Sequence, residues 1–527
     1  MKRILYHVIM AVCVFAAQTV HAQQLNFSNN SPLQKLQIAE MAVTNLYVDS
    51  VDEGKLVEDA IRGMLKELDP HSSYTTAKET KSLTEPLQGS FEGIGIQFNI
   101  SQDTLLVIQT INDGPSEKVG IMAGDRIISV NDTTIAGVKI AREDIVRRLR
   151  GPKGTKVTVK VLRRGIDDLL SFTITRDKIP LTTVDAAYMI RPEVGYIRIG
   201  SFGATTYKEF MEGVDSLKQH GMKDLIIDLQ ENGGGYLQTA VQIANEFLQK
   251  GDLIVFTEGR TVKRQDFTAD GRGRLLDGKV IVLVNEYSAS ASEILSGAIQ
   301  DQDRGVVVGR RSFGKGLVQR PFEFHDGSMI RLTVAHYYTP SGRCIQKPYE
   351  KGDKEDYEQD IEKRFKHGEL YCRDSIQFAD SLKFYTLRNK KVVYGGGGIM
   401  PDYFVPLDTT QYTAYHRQLS AKSCIINTTL KYVDQNRKKL QKEYPTFEDF
   451  NARFEVPESM LQDLYADGEK QKVKLKDEAE REQSLPMIKT QLKALVARDI
   501  WTMREYFQII NETSHIVQEA IMVLNGK

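Results

Sequence analysis

Cysteine is scarce in this chain, with 4 in 527 residues. Once an N-terminal leader is removed, only Cys344, Cys372 and Cys424 remain, so at most one disulfide can form. No Cys-x-x-Cys pair or tight Cys/His cluster occurs, which argues against a structural zinc site. An excess of one charge is missing too. The 70 Lys and Arg residues balance 70 Asp and Glu, and no basic tract supplies the footprint that nucleic acid or an anionic membrane requires. The apolar run from Ile4 to Ala17 is shorter than the roughly 18 to 20 residues of a membrane span. With Lys2 and Arg3 before it and Val20-His21-Ala22 after it, this run reads as an export signal cleaved near Ala22. Val12 stands before Cys13 where a lipidated cysteine needs a small neighbour, so a lipoprotein is disfavoured. Neither an internal repeat nor a low-complexity tract is present.

What is present is an ordinary globular composition, 41% apolar and 27% charged, on a chain too long for one hydrophobic core. Apolar positions at helical spacing from about Ser31 to Leu68 predict two amphipathic helices, stopped by Asp69-Pro70. From about Phe91 to Thr175 the pattern is strand-like, interrupted by a helix near Ala141 to Leu149. Strands and helices then alternate from about Tyr196 to Tyr338, which indicates an α/β layer. Beyond about Thr409 the chain reads as charged and helical, with runs at Asp467 to Arg481 and Pro486 to Met503.

The segment Asn285-Glu-Tyr-Ser-Ala-Ser-Ala-Ser-Glu293 ends an apolar strand and opens a helix. A serine at such a junction exposes its hydroxyl at the sheet edge, beside the unpaired N–H groups of a helix start. Taken alone it is as well explained by helix capping. A nucleophilic serine also needs a base. No Gly-x-Ser-x-Gly elbow is present, and no spacing favours His325 or His336. His71, in a turn after a helix stop, reads as a surface or capping residue. Ser312-Phe-Gly-Lys-Gly-Leu-Val-Gln319 instead offers Lys315 between two glycines with apolar neighbours. To act as a base near neutral pH, its amine must lose about 3 pKa units, and desolvation can supply that.

These two runs, and the 25 residues that separate Ser290 from Lys315, resemble the carboxyl-terminal processing peptidases, the Ser/Lys peptidase family S41. The resemblance implies Ser290 as nucleophile, Lys315 as general base and Gln319 as the residue that positions the lysine, four residues on and able to face it across a helical turn. Asp228-Leu-Gln-Glu-Asn-Gly-Gly-Gly-Tyr-Leu237 is similar to the family's glycine-bearing segment, and it implies an oxyanion hole from Gly234 or Gly235 with the N–H of Ala291. Here Gln230 stands where arginine is usual and Gly233 replaces proline, which leaves the donating glycine open. Gly114 to Asn131 resembles part of a PDZ domain, with Gly93, Ile94, Gly95 and Ile96 as the loop that binds a substrate C-terminus. Gly395 to Gly398 lacks the lysine and hydroxyl of a phosphate loop and reads as a tight turn.

The expected fold is multidomain α+β, a PDZ-like β domain inserted between an N-terminal helical segment and an α/β peptidase core, with a C-terminal helical domain. Its divisions are a signal peptide at 1–22, the helical segment at 23–88, the PDZ domain at 89–178, the core at 179–408 and the helical accessory domain at 409–527. The resemblance implies a serine endopeptidase that needs no metal or cofactor. It would act on proteins or peptides with free C-termini, would not bind nucleic acid, and would lie in the periplasm or facing the cell envelope. A homo-oligomer through the helical domain is compatible with it.

Overall fold

The computed structural model describes residues 31–101, 103–111, 113–410 and 412–526; the leader expected at 1–22 lies outside them. Two compact units divide between Leu68 and Asp69. In the first, Pro32–Leu46 and Glu53–Lys66 form the two helices expected there. Ser31 and Gln34 cap the first reciprocally, the Gln34 N–H donating to Ser31 Oγ and the Ser31 N–H to Gln34 Oε1.

The second unit is built on a six-stranded sheet in the order Val184–Arg191, Val194–Ile199, Asp224–Asp228, Val280–Val284, Val306–Gly309, Tyr403–Phe404. The first pair is antiparallel and the others are parallel. Parallel strands need crossover helices and are buried on both faces, which is why these segments read as nearly continuous apolar runs. Val280, Val282 and Val284 face the core under the helices Thr206–Gln219, Leu237–Asn245 and Ala291–Asp301. Alternation sends Ile281 and Leu283 to the opposite face. That face is closed by Phe507 of the helix Met503–Thr513 and by Ile516, Val517 and Ala520 of His515–Leu524. The end of the helical tail is thus part of the packing of the central sheet.

An antiparallel sheet adjoins it, in which Met329–Tyr338 pairs with Ser73–Thr75, Leu253–Glu258 and Leu317–Glu323. The last of these strands is an addition to the sequence reading, because most of its side chains are exposed and its apolar signal is weak. The PDZ-like region forms a five-strand path from Ile96–Ser101 to Leu170–Thr175 around a core including Leu105, Val107, Ile127, Ile145 and Val159. The chain enters and leaves it through the paired strands Ser90–Gly93 and Asp177–Pro180, the geometry of an inserted domain.

The helical region has its own core, which includes Phe450, Leu464, Ile488 and Leu492. The helical run expected over Asp467 to Arg481 is broken. Glu458–Lys470 ends, Lys472 turns with φ 56°, and Glu478–Ile500 starts anew with Asp477 accepting from the Glu480 N–H. Charged residues with good helix propensity masked that boundary. Arg126 of the PDZ-like region pairs with Asp434 of the helix Cys424–Glu443 at 2.8 Å.

Candidate active site

The strand Val280–Val284 delivers the chain to Asn285, and the helix Ala291–Asp301 starts six residues later. Three serines alternate across this junction. Ser288 Oγ donates to Leu229 O at 2.7 Å and Ser292 Oγ to Asn232 O at 2.9 Å, and both side chains are fully buried. These two stitch the junction to the loop after Asp224–Asp228. Ser290, between them, is only partly buried. Its backbone is held at φ 58°, ψ −113°, a region that costs a non-glycine residue about 1–3 kcal/mol and persists only where the surroundings enforce it.

The enforcing group is Glu293, whose importance the sequence did not signal beyond its place in the serine run. Its buried carboxylate accepts from the Ser290 N–H at 2.8 Å, the Lys315 N–H at 2.9 Å, the Gly314 N–H at 2.7 Å and the Ser312 hydroxyl at 2.5 Å. One side chain therefore binds the Ser290 backbone to the loop that carries Lys315. Burial raises its pKa, against the lowering effect of those four donors. The Tyr337 hydroxyl makes a second tie, donating to Ser290 O at 3.0 Å and to Lys315 O. Gly395 to Gly398 form a turn that supports the same loop, with Gly398 donating to Ile345 O and Ile399 to Ser312 Oγ.

Lys315 is itself largely buried, and desolvation, reinforced by the positive charge of Arg331, lowers its pKa from 10.5 to about 8, while Glu293 and Asp69 pull it upward. No hydrogen bond joins Lys315 Nζ to Ser290 Oγ or to Gln319 among the described residues. Gln319 is not on a helical turn. It lies in the strand Leu317–Glu323, where its Nε2 donates to Thr333 Oγ1, which donates in turn to Asp69 Oδ1. Asp69 also accepts from Ser72 Oγ at 2.5 Å and from the His71 N–H. His71 is accordingly a half-buried residue close to the lysine, with its Nε2 3.0 Å from the Tyr357 hydroxyl. Burial and the charge of Lys315 push its pKa down to about 3. His336 is on the other side of the strand from the site: Tyr337 points at Ser290, so its neighbour points away. His325 is exposed in the hairpin turn.

The glycine segment reaches the serine directly. A Cβ on Gly234 would lie 2.7 Å from Ser290 Cβ, and one on Gly235 would lie 2.2 Å from Phe202 O, so neither position admits a side chain. Gly234 donates its N–H to Asn232 Oδ1 at 2.8 Å. The N–H groups of Gly235 and Ala291 have no hydrogen-bond acceptor among the described residues.

In the PDZ-like region, Ile94, Gly95 and Ile96 line a groove of about 310 Å3 with Val146 and Leu149 opposite. Gly93 ends the strand that leads into it. Cys344, Cys372 and Cys424 are free thiols.

A sheet edge that holds one open serine beside a desolvated lysine is the equipment of a serine peptidase, and comparison with known proteins narrows that class. The peptidase family S41 model matches residues 193–359, the PDZ domain model residues 82–162, and the model of the activating protease CtpB N-terminal domain residues 8–80. A family of unknown function, DUF8443, matches residues 415–502. The chain is 37% identical over 350 residues to the carboxy-terminal-processing protease of Bartonella bacilliformis, covering 64% of this chain and 79% of that protein. It is 35% identical over 360 residues to the carboxy-terminal processing protease CtpA of Bacillus subtilis, with 67% and 76% covered. Among solved structures, the photosystem II D1 C-terminal processing protease matches at 29% identity and a TM-score of 0.34, over 60% of this chain and 91% of that one. The chain belongs to peptidase family S41, as a carboxy-terminal processing serine protease with a PDZ domain.

Proposed function

We propose that this protease cleaves protein and peptide substrates near their free C-termini through a Ser290/Lys315 dyad, with the substrate's terminal carboxylate held at Gly93 to Ile96. The observation that carries the reading is the Glu293 carboxylate, which binds Ser290 and the Lys315 loop into one unit in which the lysine pKa is about 8. Neutral Lys315 takes the hydroxyl proton as Ser290 Oγ attacks the scissile carbonyl. The oxyanion is met by the N–H of Ala291 and by Gly235, whose N–H is uncommitted, whereas Gly234 has given its own to Asn232. Collapse forms the acyl-enzyme and expels the amine, which takes the proton from the lysine. Water then repeats the sequence on the ester. Gln319 acts through Thr333 on Asp69, whose charge bears on Lys315. These steps call on no metal or cofactor.

A fluorogenic peptide with a free apolar C-terminus tests this. Wild type is expected to cleave it, Ser290→Ala to be inert, His336→Ala to keep most of its rate, and amidation of the C-terminus to slow cleavage. If wild type and Ser290→Ala are equally inert across varied substrates, the chain is a binding scaffold instead. A histidine-dependent hydrolase would lose its rate in His336→Ala and keep it in Lys315→Ala. Because the base must be neutral, kcat/KM should rise with pH through a midpoint near pH 8, where Lys315 titrates, and level off above it.

Export with cleavage near Ala22 belongs to the same proposal, as do a PDZ domain over 89–178, a catalytic core over 179–408 and self-association through 409–527. The mature chain recovered from the periplasm should begin near Gln23 and sediment as a multiple of its own mass. A retained leader, or the mass of a monomer, would remove the corresponding part.

A further inference from the structure

We infer that Arg142 selects substrates that carry Asp or Glu two residues before an apolar C-terminal residue. This rests on the proposal that the PDZ groove receives the substrate's end. Among the described residues the strand Ile96–Ser101 is hydrogen-bonded on one side only, to Thr104–Thr110, so its other edge is open to an added peptide strand. The helix Arg142–Leu149 lies along that edge. Its direction is set by contacts at both ends. Arg150, just past the C-terminal end, has its Cγ 3.6 Å from the Cβ position of Gly93 at the carboxylate loop, while the Arg142 guanidinium lies over the Phe98 ring, 4.7 Å from its centroid.

The groove is therefore graded. Ile94, Val146 and Leu149 make an apolar end beside the glycine loop, and Arg142 stands at the other end. An extended peptide advances about 3.3 Å per residue, so two residues span about 6.6 Å. The four helix positions from Val146 back to Arg142 span about 6 Å. Side chains two apart on the peptide face the same way. A terminal apolar side chain seated against Val146 thus brings the one two residues earlier to Arg142, and the residue between them points away.

The two arginines that line the groove, Arg142 and Arg150, differ in what they have left to offer. Arg150 is paired with Glu85 and stacked on Phe91. Arg142 is exposed and has no carboxylate partner among the described residues, and its contact with the Phe98 face holds the guanidinium over the groove without neutralising it. A carboxylate is the side chain that this position lacks.

Fluorescence anisotropy on the full chain carrying Ser290→Ala, which binds without cutting, tests the inference. The probes are labelled peptides ending Glu-Ala-Val, Gln-Ala-Val or Lys-Ala-Val, each as free acid and as amide. The Glu peptide is expected to bind about threefold to fivefold tighter than the Gln peptide, the scale of a partly exposed ion pair. The preference should vanish with Arg142→Gln and turn toward the Lys peptide with Arg142→Glu. Equal binding of Glu and Gln peptides, or a preference that survives Arg142→Gln, with acids still bound better than amides, overturns the selectivity and leaves the docking reading intact. Acids and amides that bind alike overturn the docking reading and the selectivity with it.

Discussion

Lys315→Met is expected to lower the turnover of a susceptible peptide by about 10⁴-fold, the upper range of what a general base supplies, and to make the folded chain more stable at pH 7. The two effects have one cause. The depression from 10.5 to about 8 means that the protonated lysine costs the folded state roughly 3 kcal/mol relative to the unfolded chain. The sign of the pH dependence follows. Below pH 8 both states carry the proton and the folded state bears the whole cost. Between pH 8 and 10.5 the folded chain binds fewer protons than the unfolded one, so wild-type stability rises with pH toward that of the variant. Above 10.5 the amine is neutral in both states and the contribution disappears. Matched thermal melts of the two chains at pH 7 and at pH 10.5 check this. A variant that is no more stable at pH 7 would show that the amine is solvated and unsuited to be the base.

Glu293→Gln should cost about 10² in kcat with little change in KM, the scale of a misplacement of roughly 1 Å at the reacting atoms. The carboxylate offers two oxygens to four donors, and an amide replaces one oxygen by a fifth donor. If the amide nitrogen turns toward Ser312, that hydroxyl can rotate to accept, but the Gly314 N–H is orphaned. The other orientation orphans both Ser290 and Lys315. Each buried donor left unpaired costs about 1–3 kcal/mol, so the amide takes the first orientation and the lysine loop loosens. A second readout separates this positioning from a purely structural role. The negative charge of Glu293 raises the Lys315 pKa, so the neutral variant should move the rising limb of the pH–rate profile below pH 8. An unchanged limb and an unchanged kcat would detach Glu293 from the dyad.

The residues of the site were legible from sequence to different depths. Ser290, Lys315 and the glycine segment announced themselves through short runs whose composition serves the chemistry. The strands of the central sheet were legible because burial on both faces leaves continuous apolar runs, as in Val280–Val284. Leu317–Glu323 was not, since a mostly exposed strand carries little apolar pattern, and Gln319 was therefore placed across a helical turn that does not exist. The PDZ helix was found to within a residue, yet the meaning of Arg142 depends on which strand edge lies beside it. Asp69 looked like the end of a helix and His71 like its surface neighbour, but both lie near the lysine.

By itself, the sequence determined the alternation of elements, the insertion of a glycine-marked β domain and the presence of a serine and a lysine at a suitable interval. Periodicity and local composition report what one segment needs from its own neighbours. Only the tertiary structure decided which serine of the three stays open, because Ser288 and Ser292 are consumed by carbonyls about 60 residues away, at Leu229 and Asn232. It also decided that Glu293 holds the site together and that Gly234 has spent its N–H on Asn232. Hydrogen bonds between segments far apart in the chain leave no spacing to read, and they come into being only when the parallel sheet brings its loops to one edge.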